Sequence, residues 1–128
     1  MVRIIGVLCM VLMLVGVCSG AATVTKSDLM ISITGIDADW VWTDEYVSGS
    51  RAESLKVQWI YFSPGATDDV LAIEHINASG SRIFPNTAAA DAYSPIAIPY
   101  YGAKLKPYID FSDCTLSAGH QVLILLAE

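Results

Sequence analysis

Cysteine is nearly missing from this chain: Cys9, Cys18 and Cys114 are the only three in 128 residues. Two of them lie in the apolar N-terminal stretch, so once that stretch is removed Cys114 stands alone and no internal disulfide can form. Small domains in oxidising compartments are often stapled by disulfides; here the apolar core has to suffice, with Cys114 expected as a buried, inert thiol. Positive charge is also scarce, with 7 Lys+Arg against 13 Asp+Glu, which excludes binding of a phosphate backbone by general electrostatics. Outside the N-terminus no segment of about ten residues carries the 3.6-residue apolar period of an amphipathic helix. No internal repeat, low-complexity tract or interdomain linker is present. What remains is too rich in apolar and aromatic residues for disorder and too short for two ordinary domains.

The apolar share of 54% is concentrated at the start. Residues 1–22 carry one charged side chain, Arg3, followed by an uncharged run from Ile4 to Val17 and the small residues Ser19-Gly20-Ala21-Ala22 after Cys18. A positive end, an apolar core and a small-residue tail form the three-part pattern of a secretory signal peptide helix. Cleavage is expected to leave a chain beginning at Ala22 or Thr23. An uncleaved anchor is the alternative, because residues 4–22 approach the length of about 20 that spans a bilayer; this is the one membrane contact the sequence offers. A lipoprotein acylated on Cys18 is disfavoured by the branched Val17 before it. The domain at residues 23–128 then carries all 13 acidic groups.

Within that domain the apolar pattern has period two. Leu29, Ile31 and Ile33 alternate with Met30, Ser32 and Thr34 up to Gly35, and Trp40-Val41-Trp42 reads as a short aromatic strand. Tyr46 to Glu53 reads as an exposed loop. In the strand at 55–62, alternation places Leu55, Val57, Trp59 and Tyr61 on one face and Lys56, Gln58, Ile60 and Phe62 on the other, with Trp59 in the core. Ser63-Pro64-Gly65 breaks it, because Pro presets a turn and Gly tolerates the next position. Residues 69–75 are expected to return antiparallel to 55–62. Asn77-Ala78-Ser79-Gly80 is a turn, Arg82-Ile83-Phe84 a further strand, and Pro85 to Ser94 a loop with a helical turn at Ala88-Ala89-Ala90. Ile96-Ala97-Ile98 and Leu105 to Phe111 form strands separated by Tyr100-Tyr101-Gly102, with Pro99 and Pro107 at edges or strand ends. Gln121 to Leu126 is a buried central strand. About eight short strands at roughly ten-residue spacing predict an all-β fold, a single antiparallel β-sandwich or jelly roll.

Chemistry-bearing residues are few. Cys114 and His120 could form a nucleophile and base only if the fold joins them, and no Gly-x-Ser-x-Gly elbow is present. One Cys and two His lack the paired spacing of zinc ligands. Asp37, Asp39 and Asp44 offer hard oxygen donors within a short segment, a candidate calcium set without the glycine-turned loop of an EF-hand. Planar side chains suited to stacking on a sugar occur as Trp40 and Trp42, and as Tyr100 and Tyr101 beside Gly102; core packing or a subunit interface is the competing reading for the two tryptophans. Asn77-Ala78-Ser79 matches an N-glycosylation acceptor.

From Leu55 onward the chain resembles small β-sandwich proteins of unknown function encoded by bacterial viruses and prophage-like regions. The resemblance lies in Lys56 to Val70, reading KVQWIYFSPGATDDV, in Tyr101-Gly102, in Lys106-Pro107-Tyr108-Ile109-Asp110, and in Ser112 to Gly119. It implies a compact virion-associated or assembly module with no catalytic residues to transfer. The leader departs from that picture, since phage structural proteins are normally assembled in the cytoplasm. Taken together, the sequence predicts an exported, non-enzymatic β-sandwich, free of cofactors, that binds or self-assembles outside the cell. The alternatives are a carbohydrate-binding module using Trp40 and Trp42, with a surface glycan as partner, and a virion structural protein.

Overall fold

A computed structural model describes residues 22–84, 88–89 and 94–128. The expected signal peptide and most of the expected 85–94 loop lie outside these residues. Nine strands occur among the described residues: β1 (Thr23–Ser27), β2 (Met30–Thr34), β3 (Trp40–Val41), β4 (Leu55–Ser63), β5 (Ile73–His75), β6 (Arg82–Phe84), β7 (Ile96–Leu105), β8 (Pro107–Ile109) and β9 (Gln121–Leu126). They form two antiparallel sheets, one in the order β1-β2-β9-β4-β7 and the other β3-β8-β5-β6. The chain is all-β, as its period-two pattern predicts. A four-residue helix α1 (Ser50–Glu53) and two 3-10 turns, Trp42–Asp44 and Phe111–Asp113, are the helical elements among the described residues. None of these is long and apolar enough to cross a membrane.

The apolar residues of both sheets meet in one core. Ile31, Ile33, Leu55, Val57, Ile60, Phe62, Val122 and Ile124 come from the larger sheet, and Trp40, Ile73, Phe84 and Ile109 from the smaller. Phe62 of β4 meets Phe84 of β6 edge to face, with ring centroids 6.3 Å apart at 88°, a geometry that aligns a positive ring edge with a negative ring face. Strand β9 lies between β2 and β4, which accounts for its near-continuous apolar sequence. Pro99 stands on edge strand β7, and Pro107 is the first residue of β8, both places where a missing N–H is tolerated.

Several local expectations are corrected. Strand β4 does not alternate uniformly: Val57 pairs with Leu126 and Trp59 with Leu125, so Gln58 is an extra residue against β9. This bulge reverses the facing of everything after it. Ile60 and Phe62 therefore join Leu55 and Val57 inside, while Trp59 is turned outward and is 37% exposed. Residues 69–75 do not pair with 55–62; β4 pairs with β7 and β9, and β5 lies in the other sheet between β6 and β8. The strand expected at 96–98 runs on through the expected break to Leu105, with Tyr101 and Gly102 at positive φ (55° and 79°) within it, and the one expected over Leu105 to Phe111 is confined to β8. Residues 50–53 form α1 within the expected loop, Trp42 opens a 3-10 turn instead of ending a strand, and Ala88 and Ala89 are not helical.

The departure of the chain from β4 has an identifiable cause. Asp69 is 1% exposed and its Oδ2 accepts from the N–H groups of Gly65 (2.8 Å), Ala66 (3.2 Å) and Ser117 (3.0 Å), while Oδ1 accepts from the Ser117 hydroxyl (2.7 Å). One carboxylate thus gathers the turn after β4 and the loop before β9. Gly65 sits so close to the Ser117 and Ala118 carbonyls that a Cβ there would collide with backbone. Held this way, the chain crosses to the second sheet.

Candidate functional site

The residues singled out in sequence are distributed as follows. Trp40 and Trp42 are 5% and 7% exposed, and their indole N–H groups reach Glu45 Oε1 (3.4 Å) and the Ala52 carbonyl (3.1 Å). Both belong to the core, and neither presents a face to a sugar. Tyr100 is half-buried and its hydroxyl donates to the Ile83 carbonyl at 2.8 Å, tying edge strand β7 to edge strand β6; burial pushes its phenol up to about 12. Tyr101 alone of the four stands free, at 84% exposure. Asp37, Asp39 and Asp44 are not gathered into a ligand set. The Asp39 carboxylate accepts from the Tyr108 hydroxyl (2.5 Å) and the Phe111 N–H (2.8 Å), and Asp44 accepts from the Val41 N–H. The Tyr108 phenol is pushed up to about 12, first by its bond to Asp39 and then by burial.

Cys114 and His120 are engaged separately. Cys114 Sγ accepts from the Ala72 N–H at 3.2 Å, and its thiol is pushed up to about 11, chiefly by burial. His120 Nε2 accepts from the Ile36 N–H at 2.9 Å, so its proton sits on Nδ1, which faces the Ser117 carbonyl at 2.8 Å. Both ring nitrogens are occupied by backbone, which leaves neither as a base for the thiol. The Asn77-Ala78-Ser79 acceptor lies on an exposed turn, with Asn77 Oδ1 taking the Ser79 N–H at 2.9 Å.

Two surfaces not anticipated from sequence carry chemistry. The first is acidic. Ligand oxygens of Glu74, Asp110 and Asp113 lie within 4.8 Å of one another, the one such grouping among the described residues. Strand β5 places Glu74 opposite Tyr108 of β8 and Arg82 of β6, and the 3-10 turn after β8 adds Asp113. Arg82 Nη2 reaches Glu74 Oε1 at 3.3 Å and Asp113 Oδ2 at 3.4 Å. Asp110 Oδ1 accepts from the Ser112 N–H and hydroxyl. Glu74 is 3% exposed, and its Oε2 is buried without a hydrogen-bond partner. Its carboxyl is raised above the ordinary value, first by burial and then by the Asp110 charge; Arg82 partly opposes this, and Asp113 and Asp39 add to it.

No protein-family model, curated protein or solved structure matches the chain.

The second surface is the outward side of the five-stranded sheet. Residues paired across a sheet point to the same side, so the registers define it in rows. Ser27, Met30, Leu125, Trp59 and Pro99 form one row, and Thr25, Ser32, Leu123, Tyr61 and Ala97 the next. Thr23, Thr34, Gln121 and Ser63 form the third. None of the residues in these three rows is charged, although the chain carries a net charge of −6; the charged pair on this side is Lys56 opposite Lys104, beyond the first row. Trp59 and Tyr61 stack at 5.7 Å and 21° in the middle of it. The one signal in the sequence that could have located this face is the Val57-Gln58-Trp59 segment, and it becomes readable only once the bulge is known.

Proposed function

We propose that the protein is an exported, non-enzymatic β-sandwich that works by contact, and that its first partner is a second copy of itself. What supports this is the patch of three uncharged rows on the outer face. In an acidic chain, a patch without carboxylates lets two copies meet without local like-charge repulsion, and these three rows meet that condition. The stacked Trp59–Tyr61 pair supplies the aromatic, amphipathic area that interface centres favour. Five strands spaced about 4.8 Å apart and three rows about 6.7 Å apart make a face of roughly 24 by 20 Å. Doubled, this is about 1,000 Å², at the low end for a specific interface. The contact is therefore reversible and concentration-dependent, not an obligate dimer.

A virion-associated or assembly role, which the resemblance to phage-encoded β-sandwiches implies, would use the same contact. The carbohydrate-binding reading loses its platform, since Trp40 and Trp42 are buried. Export rests on the N-terminal pattern and is tested by intact mass: a start near Ala22 supports it, and a start at Met1 favours the anchored alternative. Self-association is tested by light scattering across a concentration series. Mass is expected to rise with concentration, to stay monomeric in Trp59→Glu, and to be unchanged in Tyr101→Glu, which lies outside the three rows. A strict monomer at all concentrations refutes the reading.

A further inference from the structure

We propose that Glu74, Asp110 and Asp113 form a binding site for a divalent, oxygen-seeking cation, with calcium the best match. The donor set is all carboxylate, which selects hard cations over zinc or copper. The nearby thiol of Cys114 is already engaged with Ala72 and adds no soft ligand. A calcium–oxygen distance of about 2.3–2.6 Å lets oxygens on opposite sides of the ion stand about 4.6–5.2 Å apart. The three carboxylates fall within that span, at 4.8 Å or less. Magnesium demands a near-ideal octahedron and gives up its waters reluctantly, which a mostly buried carboxylate set suits less well.

An acidic cluster alone would not carry this, because exposed carboxylates often group without binding anything. The deciding feature is Glu74 Oε2, a carboxylate oxygen buried without a donor on a side chain that belongs to the cluster. Buried carboxylate oxygens are normally satisfied by hydrogen bonds or by a cation. Arg82 supplies one positive charge to Glu74 Oε1 and Asp113 Oδ2, which leaves the three carboxylates with two uncompensated negative charges. Asp113, whose side chain is 48% exposed, opens the site to solvent and to the waters that complete a calcium sphere. The buried pair supplies the fixed side of the site and Asp113 the adjustable one.

Calorimetric titration of calcium chloride into the intact chain, at sodium-matched ionic strength, reads the site directly. One ion per chain is expected, with Kd on the order of 10⁻⁴–10⁻³ M, as for extracellular calcium modules. At saturating calcium the melting temperature is expected to rise by about 5 °C or more. Asp113→Asn, at a half-exposed position, retains the fold and is expected to weaken binding at least tenfold; Glu74→Gln is expected to do the same. Arg82→Gln separates a ligand site from a merely structural ion-pair cluster: it lowers the melting temperature without calcium, tightens calcium binding, and is rescued by calcium. Absence of saturable binding overturns the proposal. So does a calcium-dependent rise in melting temperature that Asp113→Asn retains in full.

Discussion

Asp69 is where a single atom's substitution should separate two ways of losing stability. Its carboxylate is buried, and it holds three N–H groups on Oδ2 and one hydroxyl on Oδ1. Asp69→Ala removes the acceptor and strands three partly buried donors. At about 1–3 kcal/mol for each unsatisfied group, less what partial relaxation recovers, the loss is about 3–5 kcal/mol. That is a large part of the 5–15 kcal/mol typical of a domain. Asp69→Asn is expected to be far milder. Its amide oxygen can take the Oδ2 place and keep all three N–H bonds, and its NH₂ can donate to the Ser117 hydroxyl, which rotates to accept. Only the charge assistance is lost, about 1–2 kcal/mol.

The pH dependence of that difference follows from the same contacts. Burial works against the charged form of Asp69, but the bonds from Ser117, Gly65 and Ala66 outweigh it and hold the carboxyl below its ordinary 3.8. A depressed folded-state value means the unfolded chain takes up the proton first. The stabilisation is therefore complete above about pH 4 and is lost as pH falls through the folded value. Urea unfolding followed by tryptophan fluorescence at pH 7 and near pH 3 reads both effects. At pH 7 the order should be wild type, Asn, Ala, and the gap between wild type and Asn should narrow at pH 3. An Ala variant within about 1 kcal/mol of wild type, or an Asn variant as unstable as Ala, refutes the account.

Three further outcomes are expected. His120→Ala leaves the Ile36 N–H without its acceptor, while the Ser117 carbonyl keeps the backbone N–H of position 120 at 3.3 Å, and should lower stability in urea by about 1–3 kcal/mol; an unchanged midpoint would show that the imidazole bridge is dispensable. Tyr100→Phe removes one bond between the edges of the two sheets, to the Ile83 carbonyl, and should lower stability by about 1 kcal/mol, with amide exchange of β6 rising before that of β9. Cys114, with its thiol pushed up to about 11, has roughly one molecule in a thousand ionised at pH 8, so a disulfide reagent should label it slowly in the native protein and completely in denaturant. Prompt native labelling would contradict the burial assigned to it.

The all-β class and several of the strands were legible because alternation is a local signal. Ile31 and Ile33, Val122 and Ile124, and the turn at Asn77 to Gly80 all stand where a period-two reading with glycine and asparagine breaks puts them. The partners of β4 were not legible. A strong strand followed by Pro-Gly and a second apolar run reads as a hairpin, and what prevents one is Asp69 reaching Ser117, 48 residues away. The acidic cluster was hidden for the same reason: Glu74 sits on β5 and Asp110 just past the end of β8, and they are joined only by the pairing of β5 with β8.

The facing of Trp59 shows how one residue of register carries over into function. With strict alternation, Trp59 and Tyr61 would follow Leu55 and Val57 inward, and Ile60 and Phe62 would face water. Gln58 shifts the pattern by one against β9, and the inner set becomes Leu55, Val57, Ile60 and Phe62, all fully buried. Aliphatic and phenyl groups fill such a core without polar atoms to satisfy, whereas the indole N–H and phenol O–H require partners when buried. The bulge thus places the two side chains with polar handles on the wet side of the sheet. It also stacks them there, between Leu123, Leu125 and edge strand β7, in the middle of an uncharged surface. A net charge of −6 gives no hint of such a surface. The charge is partitioned, with carboxylates crowded at Glu74, Asp110 and Asp113 on the smaller sheet and its adjoining turn, and none in the three outer rows of the larger one. That separation keeps carboxylates away from the three rows on which the proposed self-contact rests and gathers them where the proposed cation site lies.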